Sequence, residues 1–185
     1  GGSLGVDVSA HALTKYPSGG GDVLMGSIIT ADAALHMRIK LTHMRLGIGI
    51  GANDAELVLR SLSSVALRYR AHDLSARTLA APLQRQSAVV QLLHPAFAGA
   101  PGHAHWQQLC GAANQGQGAA AGLFSVVIDP RYDRAAIDKF CDSLQLFRLG
   151  YSWGGPMSLV VPYDIDSMRS GGRGSLQAGS VVRFC

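Results

Sequence analysis

The chain has 185 residues, 48% of them hydrophobic and 15% charged, where ordinary globular chains carry roughly 25% charged residues. So much apolar surface excludes a mainly disordered chain, and the length suits one domain, or one domain plus part of another. The net charge of +4, from 16 Lys+Arg and 12 Asp+Glu, is spread along the chain. It points to an anionic small ligand and away from a nucleic-acid surface.

In chain order, Val6–Val8 is predicted as a short strand and Asp22–Thr30 as a second. Between them, Thr14-Lys15-Tyr16-Pro17-Ser18-Gly19-Gly20-Gly21 cannot be regular structure, because of its consecutive glycines. Ala31 to about Leu46 reads as a helix, followed by the flexible connection Gly47-Ile48-Gly49-Ile50-Gly51. Asn53 and Glu56 have capping-box spacing. Val58, Leu62, Val65, Tyr69, Ala76 and Leu79 mark one apolar face of a helix predicted to reach about Leu83 and to connect two domains, with His72 on that face. Ala88–Leu93 is a strand ending at His94-Pro95, and His105–Leu109 is helical. Leu123–Ile128 is a strand stopped by Asp129-Pro130. Asp133–Leu144 is an amphipathic helix with Ile137, Phe140 and Leu144 on one face. Ser158–Val161 is strand-like, Gly171–Gly174 a loop, and Val181–Phe184 a final strand.

Strands alternating with helices make an α/β chain. The expected divisions are 1–52, a connecting helix over 53–84, and an α/β portion over 85–185. The chain opens on a strand with nothing before it to pair with and closes inside a strand at Cys185, so it reads as a portion of a longer protein. Cys110, Cys141 and Cys185 are odd in number and have no CxxC spacing, which suits reduced thiols in a cytoplasmic protein. There is no run of about 18 apolar residues, and Gly1–Val8 lacks a leader pattern, so a soluble protein without membrane contact is expected. His103-Ala104-His105 has no third ligand nearby, and no metal is expected. Gly47-x-Gly49-x-Gly51 lacks the spacing and the preceding strand of a dinucleotide loop.

Thr14-Lys15 is the sharpest feature. Local chemistry leaves two readings open. A lysine beside a hydroxyl and a glycine loop can be a Schiff-base nucleophile, given a low-dielectric pocket or an electron sink, with Thr14 and backbone amides taking a phosphate. It can equally be a surface lysine before a turn.

Residues 7–30, from Asp7 through Thr14-Lys15-Tyr16 and the glycine loop to Asp22 and Thr30, resemble the lysine segment of the pyridoxal-phosphate-dependent transsulfuration (Cys/Met metabolism) family. Asp54-Ala55 and Leu59-Arg60 are similar to a helix of that family, with Ser61 where glycine is usual. His94-Pro95, Pro101, His103 and Gly122-Leu123-Phe124-Ser125 follow in the family's order. Tyr151-Ser152-Trp153-Gly154-Gly155 is similar to a segment of its bacterial cystathionine β-lyase branch, and Gly179-Ser180-Val181-Val182-Arg183 resembles its glycine-to-arginine strand. The departures are Ala12 for a frequent serine, Gly20 and Gly21 for His-Ser, and Pro156 and Met157 for aromatic-Glu. The family's upstream half, with the aspartate paired to the pyridine nitrogen, and its C-terminal helix are not matched.

The resemblance implies the C-terminal part of a fold-type-I enzyme, the end of its large mixed-sheet domain plus the small C-terminal α/β domain. It implies pyridoxal 5'-phosphate as cofactor, held covalently by Lys15, with Thr14 bonding its phosphate and Ala12 at the position of the second hydroxyl. Arg183 would clamp the substrate α-carboxylate with its bidentate guanidinium, Ser152 and Trp153 would line that pocket, and Tyr151 would form its wall. The implied reaction is β-elimination of cystathionine or a similar thioether to thiol, pyruvate and ammonia, in a homo-oligomer built as a dimer of dimers. The alternatives are a γ-lyase or γ-synthase of the same family, or a non-catalytic fragment that only folds and associates.

Overall fold

Short runs of β-branched and aromatic residues between glycine and proline stops become the strands of this protein, in a computed structural model that describes residues 5–185. Gly1–Leu4, where the first expected division begins, lies outside the described residues. The chain divides into two units, Gly1–Val65 and Ala66–Cys185.

In the first unit, β1 (Ser9–Ala12) pairs antiparallel with β2 (Gly26–Ile29), Ala12 opposite Gly26. The first strand therefore begins after the predicted Val6–Val8, and the second is shorter than Asp22–Thr30. Strand identity follows pairing, and the chain between Leu13 and Met25 is occupied by turns. Helix α1 (Ala33–Arg45) starts where Asp32 accepts the Leu35 amide at 2.7 Å, an ordinary aspartate cap. Helix α2 (Ala52–Leu62) is preceded by Gly51 in extended conformation, with no side-chain cap. Asn53 is thus inside the helix, and the predicted capping box does not form. Asp54 in the first turn supplies the charge that favours a helix N-terminus.

The predicted single helix from Asn53 to Leu83 is two helices. It is interrupted at Ser63 and Ser64, whose hydroxyls donate to Arg60 O at 3.0 Å and Ser61 O at 3.1 Å. Serine hydroxyls that bond back to the preceding turn compete with the helical ladder. Helix α3 (Val65–Gln84) then follows, and its buried residues are Asp73, Ala76 and Ala80. Asp73 lies in that stripe because Arg77, one turn on, meets its carboxylate with Nε at 2.8 Å and Nη2 at 3.1 Å, which satisfies the buried charge. Leu62 and Leu79, predicted to be buried, are exposed.

The second unit is built on a five-stranded sheet. Its strands are β3 (Val89–Leu93), β4 (Phe124–Ile128), β5 (Arg148–Leu149), β6 (Leu159–Tyr163) and β7 (Ser180–Phe184). The order is β3-β4-β7-β6-β5, with every pair antiparallel except β5–β6. Period-two alternation turns Phe124, Val126, Val160, Val182 and Phe184 to one face, where they pack with Ala76 and Ala80 of α3 and with Ile137 and Cys141 of α5 (Arg134–Ser143). The buried stripe of α5 is therefore Ile137 and Cys141. Phe140 is exposed, and Leu144 sits at the core's margin. The opposite face carries the row Ser125, Arg183, Val161 across β4, β7 and β6. Gly179, just before β7, has φ +130°, and a Cβ there would overlap the Ile128 carbonyl. Two short helices complete the unit, α4 (His103–Cys110) and α6 (Ile165–Met168). No described helix is long and apolar enough to cross a membrane.

Candidate active site

The predicted residues fall into two groups, one in each unit. In the first, β1 ends at Ala12 and the chain folds into a turn that carries Lys15. Lys15 N donates to Ala12 O at 3.2 Å, and Gly19 N donates to Lys15 O at 2.9 Å. Ser18, nearly buried, donates its hydroxyl to Thr14 O at 2.9 Å. Thr14 is tied to Met25 three times. Its amide and its hydroxyl each donate to Met25 O at 3.1 Å, and Met25 N donates to the hydroxyl at 2.9 Å. Backbone and side chain on both flanks thus fix the backbone of Lys15, a half-buried residue. Ala12, exposed at the strand end, offers only its carbonyl to this turn.

The glycines of the turn have a steric reason. Gly19 and Gly21 have φ of 68° and 72°, a region that glycine enters without strain. A Cβ on Gly20 would collide with the Asp22 carboxylate. A side chain at position 20 would therefore require the Asp22 carboxylate to shift.

In the second group, Arg183 projects from β7, which is flanked by β4 and β6. Its Nη2 donates to Gly150 O and to Ser152 O, each at 3.3 Å. The guanidinium carbon is 5.4 Å from the Trp153 ring centroid and 5.6 Å from that of Tyr163. Tyr151 meets Tyr163 edge-on at 6.5 Å. Arg183, Ser152, Trp153 and Tyr151 thus lie together, around Tyr163. Gly150 follows β5, and its amide donates to Val160 O at 3.3 Å. The loop turns back at Gly154 (φ 70°), whose amide donates to Cys185 Sγ at 3.2 Å. Nε and Nη1 of Arg183 make no hydrogen bond among the described residues.

Sequence reasoning missed four contributors: Met25, Ser18, Cys185 and Tyr163. Alternation from Val161 carries a signal for Tyr163, since residues two apart on a strand share a face. The other three are visible only in the folded contacts. His103, which opens α4, and His72 of α3 are engaged locally. His103 Nδ1 lies 2.7 Å from Pro95 O, and its ring stacks on Trp106 at 5.8 Å. His72 packs against Gly122, where a Cβ would approach its own Cβ to 2.8 Å.

The chain resembles known proteins throughout. The model of the family described as Cys/Met metabolism PLP-dependent enzyme matches residues 3–182. A putative cystathionine beta-lyase of Rhizobium johnstonii is 40% identical over 160 residues, 85% of this chain and 38% of that protein. An L-alanine/L-glutamate racemase of Wolbachia pipientis wMel is 32% identical over 182 residues, 98% of this chain and 43% of that protein. Among solved structures, cystathionine gamma synthase from Xanthomonas oryzae pv. oryzae, in complex with aminoacrylate and cysteine, superimposes with a TM-score of 0.77. It is 29% identical, over 98% of this chain and 46% of that one. The chain spans about two fifths of the length of the curated relatives it matches.

Proposed function

This chain belongs to the Cys/Met metabolism family of pyridoxal-phosphate-dependent enzymes, and from that premise we propose that it carries the lysine-bearing and carboxylate-binding parts of a carbon–sulfur lyase. The reaction proposed is β-elimination on cystathionine or a similar cysteine thioether. The family's cofactor is pyridoxal 5'-phosphate, which when bound supplies a carbonyl for an amine and a ring that withdraws electrons from the substrate carbon.

The chemistry of the residues present fits that group. Lys15, a half-buried residue, offers a primary amine on a turn whose backbone is fixed on both sides. In the proposed reaction Lys15 Nζ takes the proton from the substrate Cα, and loss of the Cβ–S bond releases the thiol. Thr14 holds the turn. Its hydroxyl proton goes to Met25 O, so it would reach a phosphate only by giving up that bond. Arg183 binds the α-carboxylate, while Trp153 excludes water from one side of the guanidinium. The observation that carries the reading is this guanidinium, a cation set against two aromatic rings and anchored to loop carbonyls through Nη2, with Nε and Nη1 each able to donate one hydrogen bond to an anion.

In this reading residues 1–52 are the end of a cofactor-binding domain, 53–84 the connection and 85–185 the C-terminal α/β domain. Exposed Leu24, Ile28, Ile29 and Leu46 support association with further chain, in a homo-oligomer. A second reading, γ-elimination or γ-replacement, is favoured by the likeness to a cystathionine gamma synthase structure.

Incubation with pyridoxal phosphate followed by borohydride is expected to leave one major phosphopyridoxyl adduct, on the Lys15 peptide, and Lys15→Ala removes it. With cystathionine as substrate the expected products are pyruvate and homocysteine. Formation of 2-oxobutyrate and cysteine instead would replace the β-lyase reading by the γ-lyase one, and labelling spread over all lysines would count against both.

A further inference from the structure

We infer that Tyr163 is a positioning residue for Arg183: its ring forms the second wall of an aromatic slot that holds the guanidinium in the orientation a carboxylate requires. The inference rests on the reading of Arg183 as the carboxylate-binding group, and nothing in the family comparison assigns a role to Tyr163.

Arg183 stands opposite Val161, and Tyr163 stands opposite Val181. Residues two apart on a strand share a face, so Tyr163 and Arg183 are diagonal neighbours on the same side of the sheet, a separation that long and aromatic side chains bridge. The contact is made, with the guanidinium carbon 5.6 Å from the Tyr163 centroid and 5.4 Å from the Trp153 centroid. Both distances lie within the range in which a ring face attracts a cation.

The two aromatic partners come from different kinds of backbone. Trp153 is on the loop that closes over Arg183, whereas Tyr163 is on a strand paired along its length. The strand-borne ring is thus the fixed wall and the loop-borne ring the adjustable one. Tyr163 also meets Tyr151 edge-on, so one residue braces both the arginine and the tyrosine proposed as the pocket wall. Without the ring, Arg183 keeps its carbonyl contacts to Gly150 and Ser152 but loses what stops the guanidinium plane from turning about its long stem.

The test uses the protein loaded with pyridoxal phosphate, titrated calorimetrically with L-alanine and, separately, with L-alaninamide, which lacks the carboxylate. Tyr163→Leu is expected to weaken alanine binding roughly three- to tenfold and to leave alaninamide unchanged, with an unaltered unfolding midpoint. Tyr163→Phe, which keeps the ring, should bind alanine like the parent protein. If Tyr163→Leu leaves alanine affinity unchanged while Arg183→Gln lowers it, the inference about Tyr163 is wrong and the carboxylate reading stands. If Arg183→Gln weakens alanine and alaninamide equally, the carboxylate reading itself falls, and this inference with it. Should Tyr163→Leu fail to fold, the Arg183 side-chain resonances decide. Ring-current shifts in the parent protein that persist in Tyr163→Phe support the slot, and ordinary solvent-like shifts overturn it.

Discussion

A threonine hydroxyl has one proton to give, and in Thr14 it goes to Met25 O while Met25 N donates back to the same oxygen. That side chain therefore works as a backbone clamp one residue before the lysine. Thr14→Val keeps the shape but leaves two Met25 groups with a partner fewer, which is expected to destabilise the first unit by about 1–3 kcal/mol. Thr14→Ser restores most of it. Urea unfolding of the cofactor-free protein checks this. A valine variant as stable as the parent, yet weaker for pyridoxal phosphate, would mean that the hydroxyl serves the phosphate and not the turn. Asp22 acts similarly on its neighbour, since its carboxylate fills the space a Cβ at Gly20 would need.

At the scale of elements, β7 organises the second unit, because it has β4 on one side and β6 on the other. Its entry depends on Gly179, where φ of +130° and the adjacent Ile128 carbonyl leave no place for a Cβ. Gly179→Ala is expected to cost at least about 2–3 kcal/mol, combining backbone strain with overpacking, and to appear as a lower thermal midpoint with disturbed near-ultraviolet circular dichroism. Strands β3, β4, β6 and β7 and helices α1 and α5 were legible in the sequence. Among them, β3 and β4 end at the stops Pro95 and Asp129-Pro130, and α5 carries an apolar period. The two-residue β5 was not, because parallel pairing to β6 creates it and its own residues carry no period. The break at Ser63–Ser64 was hidden by an apolar spacing that continues through it. Local chemistry left Lys15 ambiguous, and the family pattern singled it out. Alternation along β6 puts Tyr163 on the face of Val161, but only the register of β6 against β7 sets that face beside Arg183.

At the scale of the whole molecule, a buried ring contributes to the response to acid. His94 is almost fully buried, its Nδ1 accepts the Ala96 amide at 3.2 Å, and Phe97 meets it edge-on at 5.3 Å. Burial, and then the charge of Arg77, push the imidazole below its ordinary range, with Asp73 opposing. The folded protein thus takes the proton less readily than the unfolded chain. The contribution of neutral His94 is complete above the ordinary histidine value of about 6.5 and is lost as pH falls below it, when the unfolded chain is protonated first. His72, lowered by its own burial and by Arg68, adds in the same direction. His94→Asn keeps an acceptor for Ala96 without the titration. The stability gap between parent and variant should therefore narrow between pH 7.5 and 5.5, and unfolding midpoints that move in parallel would refute the assignment.

The position of β7 also sets a schedule. It is the last of the five strands in chain order yet joins both halves of the sheet, pairing Val126 with Val182 across a long stretch of intervening chain. During synthesis, β3 with β4 and β5 with β6 can each meet as they leave the ribosome, but two open edges wait until Ser180–Phe184 arrives between them. Pairing of such distant segments is slow, so closure of this core waits until all five strands have been made, and the interval before it is when the nascent chain is most exposed to chaperones and to misassociation.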